Sequence, residues 1–280
     1  MFEPLTRRRP LELRTTLVLA WVGLAMWSTS VGCLWKNESF FVFQTHRRSA
    51  SLIPTEGVLQ LTTTDGIQLD ALSLTQEGSP YWILFCSRSG RSILDRDVRE
   101  HLESLHTAGY NVFAFDYRGF GRNGGTPTEA GVYEDALTAY RYLTQQLDVV
   151  PERIILAGRS LGSAVALDLA TRVPAGGLFL LSAIDSVPAT GARLYFWAPV
   201  RLLASQQFDS MTKAPRVTVP VLQVHATDDW MVPIAAARAL FRKFPGRKVM
   251  LELRGGHNDV GFTGGVSLNR ALAQFWPNPR

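Results

Sequence analysis

Cysteine is nearly missing from this 280-residue chain, which carries only Cys33 and Cys86. Two thiols in segments of unlike character exclude both a disulfide framework and a four-ligand zinc site. The fold must therefore stand on an apolar core. Lysine is scarce as well, four residues against twenty-five Arg. Apart from Arg7-Arg8-Arg9 the arginines are scattered, so the basic stripe that tracks a phosphate backbone is absent and nucleic acid is excluded as a partner. A net charge of +5 supports at most weak attraction to anionic surfaces. The chain has neither a G-x-x-x-x-G-K loop nor a Gly-rich dinucleotide fingerprint after a first strand, which removes nucleotide binding. Internal repeats and low-complexity linkers are lacking too. What is present is an ordinary folded composition, 46% hydrophobic and 19% charged. The length suits one large α/β domain or two small ones.

One stretch breaks that ordinary pattern. Positions 15 to 35, TTLVLAWVGLAMWSTSVGCLW, carry no charge and follow Arg7, Arg8, Arg9 and Arg14. The run is long enough to cross a bilayer as a helix, and the basic flank predicts a cytoplasmic N-terminus. Everything after residue 36 is then expected outside the cytoplasm, on the periplasmic side if the cell is bacterial. Ser30-Val31-Gly32-Cys33 supports a second reading, because small residues before a cysteine resemble a lipoprotein signal that would leave Cys33 lipidated. Residues 1–36 are thus expected to be a membrane anchor or a lipoprotein-type signal, residues 37–55 a connecting segment, and residues 56–280 the folded domain.

From residue 55 onward, β-rich runs at 58–63, 68–74, 81–85, 112–115, 153–157, 178–181, 219–224 and 249–253 alternate with helical patterns at 96–108, 132–147, 161–172, 234–244 and 267–275. That alternation predicts a mostly parallel sheet of eight strands with helices on both faces. Asp65-Gly66 between the first two runs predicts an antiparallel hairpin at the start. Residues 183–216, interrupted by Pro188, Pro199 and Pro215, read as a short lid.

The chemistry begins where the run 153–157 ends. Gly158-Arg159-Ser160-Leu161-Gly162 is G-x-S-x-G between a strand and a helix. A sharp turn there forces Ser160 into a strained conformation, and glycines two positions to either side avoid a collision. A serine nucleophile needs a base, and the base needs an orienting acid. Of the five histidines, His46 precedes the regular domain, His101 and His106 fall in a helical pattern, and His225 ends a strand. His257 sits in Arg254-Gly255-Gly256-His257-Asn258-Asp259, where glycines form a loop able to reach across the sheet edge. An acid after the strand at 219–224 would point to the same edge, and both Asp228 and Asp229 stand there. The order Ser, Asp, His is the one this fold uses.

With these motifs in place the chain resembles the α/β-hydrolase superfamily, in its small-lid branch of serine esterases, depalmitoylases and serine-peptidase-like enzymes, over about residues 56 to 277. Asp116-Tyr117-Arg118-Gly119-Phe120-Gly121 is similar to the family's D-Y-R-G-x-G loop after the fourth strand, and Gly125, Pro127, Tyr133, Asp135 and Ala136 fit the positions that follow. In the family's H-x-x-x-D-x-x-V-P stretch, His225, Val232 and Pro233 set the register and put the acid on Asp229. Asp228 is then an N-cap or surface carboxylate. One departure stands out: the usual His-Gly-Asn-x-Gly after the third strand is here Cys86-Ser87-Arg88-Ser89-Gly90. Main-chain N–H groups supply an oxyanion hole, so the resemblance assigns the donors to Leu161 and Arg88. Cys86 is expected to be a small strand-end residue.

The resemblance implies a serine hydrolase acting on a small-molecule ester or thioester through an acyl-enzyme, with no metal or organic cofactor. Peptidase activity on short peptides is the nearest alternative, and a membrane-tethered binding protein that has lost catalysis is the other. Leu194, Tyr195, Phe196 and Trp197 of the lid are expected to shape an apolar acyl pocket.

Overall fold

A computed structural model describes residues 10–45, 57–259 and 265–277. Among them, eight strands form one sheet: β1 (Val58–Thr62), β2 (Gln68–Leu74), β3 (Trp82–Cys86), β4 (Asn111–Phe115), β5 (Ile154–Arg159), β6 (Gly177–Leu181), β7 (Val221–Ala226) and β8 (Lys248–Leu253). Their order is β1-β2-β4-β3-β5-β6-β7-β8. β2 pairs antiparallel with β1 and with β4, and all pairs from β4 onward are parallel. This is the α/β-hydrolase fold anticipated above. The hairpin turns at Gly66, whose φ of 83° suits glycine, with the Gly66 amide donating to the Thr63 carbonyl at 2.9 Å.

Both faces of the sheet are covered. Ile154 and Leu156 of β5 join one core with α4 (Glu129–Gln145) and α5 (Leu161–Ala170). Ile155 and Ala157 join the other with α3 (Arg96–Thr107) and α10 (Gly265–Phe275). Burial on both sides explains why β5 reads as a continuous apolar run. α9 (Ile234–Lys243) follows β7. α4 starts three residues before the periodic pattern does, because the Thr128 hydroxyl caps it by accepting from the Gly131 amide. β7 begins after Pro220 rather than at 219, since proline cannot donate to the ladder.

The segment 183–216 contains α6 (Val187–Leu194), α7 (Val200–Leu203) and α8 (Ser210–Lys213). N-terminal to the sheet, α1 (Pro10–Lys36) is one continuous helix. Its stretch Thr15–Lys36 is long and apolar enough to cross a membrane, and none of it is buried in the protein. Cys33 lies exposed on α1. Arg7, Arg8, Arg9 and His46 fall outside the described residues.

A short helix, α2 (Glu38–Phe43), then turns back onto the sheet. Phe43 is fully buried, edge-on to Phe120 and Phe208, and its carbonyl accepts from the Gly90 amide at 2.8 Å. Burying one such ring stabilises by about 2–3 kcal/mol. The stretch expected only to connect therefore also contributes a core side chain.

Candidate active site

β5 ends one residue before Ser160, and α5 begins one residue after it. Ser160 has φ 51° and ψ −118°, a conformation that costs a non-glycine residue about 1–3 kcal/mol. The surroundings over-determine it. The Ser160 amide donates to the Leu181 carbonyl at 2.9 Å, and its own carbonyl accepts from the Ser163 amide at 2.9 Å. A Cβ on Gly158 would lie 2.0 Å from the Gly162 carbonyl oxygen; one on Gly162 would lie 2.0 Å from that of Cys86 and 2.5 Å from that of Ser87. All of these obstacles are backbone, so the turn admits no larger residue at either position.

The acid follows β7. Asp229 Oδ1 accepts from the amides of Met231 at 3.0 Å and Val232 at 2.8 Å. Its Oδ2 stands 2.7 Å from His257 Nδ1. Asp228 lies instead on the exposed side, with its carboxylate 3.4 Å from the Gly255 amide. Burial works against charge on Asp229, but hydrogen bonds from His225, His257 and the Val232 amide outweigh it and hold the group well below the usual carboxylate range.

His257 closes the array, with Nε2 2.9 Å from Ser160 Oγ. An ionised Asp229 requires the hydrogen on Nδ1, which leaves Nε2 free to accept the serine hydroxyl. The three side chains are almost wholly withdrawn from solvent. The glycine-containing loop that carries His257 is pinned on both sides of the ring: Ser182 Oγ donates to the His257 carbonyl at 3.0 Å, and Arg159 Nη2 donates to the Asn258 carbonyl. Neither Ser182 nor Arg159 announces this in the sequence. His225, used above only as a register mark, is fully buried with Nε2 2.8 Å from the Val232 carbonyl and 3.3 Å from Asp229 Oδ2. Both partners are acceptors, so Nε2 carries the hydrogen. The i,i+4 spacing of His225 and Asp229 was the available signal.

A cavity opens above Ser160, bordered by Leu161 and Ser89. Arg88 does not line it; its guanidinium pairs with Asp97 at 2.8 Å. From the lid, Leu194 and Tyr195 line the cavity, whereas Phe196 and Trp197 lie outside it and are exposed. That corrects the expected pocket aromatics: α6 ends at Leu194, and Phe196 and Trp197 face away from the cavity before the chain returns to line it at Ala198. Burial pushes the Cys86 thiol up to about 12, which removes it as a nucleophile at neutral pH.

Known proteins are similar to this chain. An uncharacterised protein of Mycobacterium tuberculosis is 34% identical over 231 residues, covering 81% of either chain. An α/β-hydrolase domain-containing protein of Caenorhabditis elegans is 35% identical over 151 residues, which take in 54% of this chain and 44% of that one. A family model described as serine aminopeptidase, S33, matches residues 96–208. The chain belongs to the α/β-hydrolase superfamily. An esterase of Pyrococcus furiosus superposes on this α/β hydrolase with a TM-score of 0.67 at 20% identity, over 78% of this chain and 89% of its own. At that identity the likeness speaks for the fold alone. The family match stops at residue 208, so it includes Ser160 but neither Asp229 nor His257.

Proposed function

We propose that this α/β hydrolase cleaves a carboxylic ester or thioester through an acyl-enzyme on Ser160. One observation carries the reading: His257 bridges Ser160 Oγ at 2.9 Å and Asp229 Oδ2 at 2.7 Å in a water-poor site. Nε2 takes the hydroxyl proton as Oγ attacks the acyl carbonyl. The imidazolium is stabilised by Asp229 and returns the proton to the leaving alkoxide or thiolate. Water, deprotonated by the same nitrogen, then releases the acid and restores Ser160. The main-chain amide of Leu161, at the head of α5 and on the cavity wall, is assigned to the developing oxyanion.

A second reading, cleavage of short peptides, is favoured by the description of the matched family as a serine aminopeptidase. Amides and esters share the same acyl-transfer steps, so only substrate profiling separates them. The domain of residues 56–280 is proposed to be held at the extracytoplasmic face either by α1 as an uncleaved anchor or, after cleavage before Cys33, by a lipid on that cysteine.

The test is labelling of the detergent-solubilised full chain with a fluorophosphonate, with the adduct read by intact mass and mapped by peptide. An adduct on Ser160, absent from Ser160→Ala, is the expected result. A folded protein that takes no label would point to a catalytically silent binding protein with a disabled Cys86–Gly90 loop.

A further inference from the structure

We propose that α1 is part of the substrate site as well as a tether, and that the cavity it walls receives the acyl chain of an ester or thioester resident in the bilayer. The proposal rests on the hydrolase reading above and names its substrate class.

The cavity over Ser160, about 160 Å³, is walled by the last turns of α1 through Val31, Leu34 and Trp35 and by Phe41 of α2, with Leu194 and Leu203 of the lid facing them. That volume is on the order of one that takes up a small hydrocarbon. Among the described residues Glu38 is the one carboxylate on its wall, and it is already engaged, accepting from the amides of Ser205 and Gln206 at 2.9 Å each. Gln44, Ser89, Thr190 and Tyr195 offer a peptide a few partners, but against the predominantly apolar lining most of its N–H and C=O groups would stay unpaired, at several kcal/mol each. A hydrocarbon chain meets no such penalty.

The wall contributed by α1 says where the chain comes from. Trp27 Nε1 donates to the Trp197 carbonyl at 2.8 Å, joining the lid to α1 nine residues before Lys36, about 13 Å along the helix axis. With Lys36 at the membrane surface, the lid beside Trp27 lies at the depth of the acyl chains. Two apolar lid side chains near that contact, Phe196 and Leu202, are 85% and 86% exposed to water, as expected of residues that a bilayer takes up. A lipid-borne acyl group at that depth therefore lies beside the α1 wall of the cavity over Ser160.

The test uses the full chain in phospholipid nanodiscs with p-nitrophenyl esters from acetyl to dodecanoyl. Each methylene that enters the cavity is expected to raise kcat/KM about fourfold. Leu34→Ala and Phe41→Ala, which strip the wall, should lower the octanoyl-to-acetyl ratio at least tenfold, and Val31→Phe, which fills the cavity, should move the optimum to shorter chains. A second arm presents the same acyl chain either on a bilayer-held alcohol or on a water-soluble carrier. The bilayer-held ester should be consumed faster, and the Phe196→Ser, Leu202→Ser double variant should lose that preference. Hydrolysis that depends on Ser160 but not on chain length, or a ratio unmoved by all three wall variants, overturns the proposal and leaves the hydrolase intact. Equal rates from the two carriers overturn delivery from the bilayer. A folded chain with neither turnover nor a fluorophosphonate adduct overturns the hydrolase reading itself.

Discussion

The floor of the cavity and its roof are held by different forces. In the floor, Ser160, Asp229 and His257 stand at three strand ends, and each is fixed by directional bonds: the Ser160 amide to Leu181, the Asp229 carboxylate from two amides, the His257 carbonyl from Ser182. The roof, made of α1, α2 and the lid, rests mainly on apolar contact around the cavity and on a few ties such as Trp27 to Trp197 and Glu38 to Ser205. Proton transfer tolerates errors of tenths of an ångström only, so the floor needs bonds with direction. A hydrocarbon chain needs a dry volume of about the right width, which non-directional packing provides. On the proposed reading chemistry and selectivity are separated, and changes in one region are expected to leave the other standing.

The largest break lies in the floor. Ser160→Ala should lower kcat/KM on a short aryl ester by about 10⁴-fold or more while the circular dichroism spectrum is unchanged. Asp229→Asn should cost about 10⁴-fold through the wrong tautomer of His257, whereas Asp228→Asn next door should stay within about twofold; equal losses from the two would show that the acid is misassigned.

Two glycines sharpen the contrast in stability. Gly162→Ala drives a methyl into the Cys86 and Ser87 carbonyls and should cost about 3 kcal/mol or more by denaturant unfolding. Gly191→Ala in the roof meets only a Val200 methyl, 2.9 Å away, and should stay within about 1 kcal/mol. A roof as intolerant as the floor would end the distinction.

Past the end of β4 stands a buried carboxyl whose sign of effect is definite. Asp116 accepts from the Ile93 amide at 2.8 Å and from Ser92, and burial raises its pKa from 3.8 to about 7. It holds its proton in the fold at pH values where the unfolded chain has lost it. Its contribution is therefore fully present below about pH 4 and declines as pH rises to about 7. Asp116→Asn should flatten that decline, by roughly 3 kcal/mol at most between pH 4.5 and 7.5, read as the difference in unfolding free energy between variant and parent. A steeper decline in the variant would reverse the assignment. Smallest is Ser182→Ala, which loosens the His257 loop by one hydrogen bond of about 1 kcal/mol, or about fivefold in kcat. KM should not move, since Ser182 does not line the cavity.

The same division governs what could be read along the chain. Strand and helix patterns, the Asp65-Gly66 turn and the strained serine between two glycines are local, and each follows from periodicity or from a φ requirement within a few residues. The floor was legible wherever a local motif stood at a strand end. Its supports were not: Ser182 lies 75 residues from His257, and Arg159 lies 99 from Asn258. The roof was legible only as composition, and its aromatic content misled at Phe196 and Trp197, because hydrophobicity marks a residue as apolar without saying which apolar space it fills.

By itself, then, the sequence determined an α/β alternation, a nucleophile elbow, the order Ser160, acid, His257, and one apolar helix at the N-terminus. The tertiary structure decided that His225 lies against the Asp229 carboxylate, that Phe43 enters the core, and that the last turns of α1 wall the cavity above Ser160. The reason is chain topology. Backbone preference and side-chain period act over a few residues, whereas these contacts join residues brought together only when the sheet has ordered its strands and the two flanking cores have closed on it.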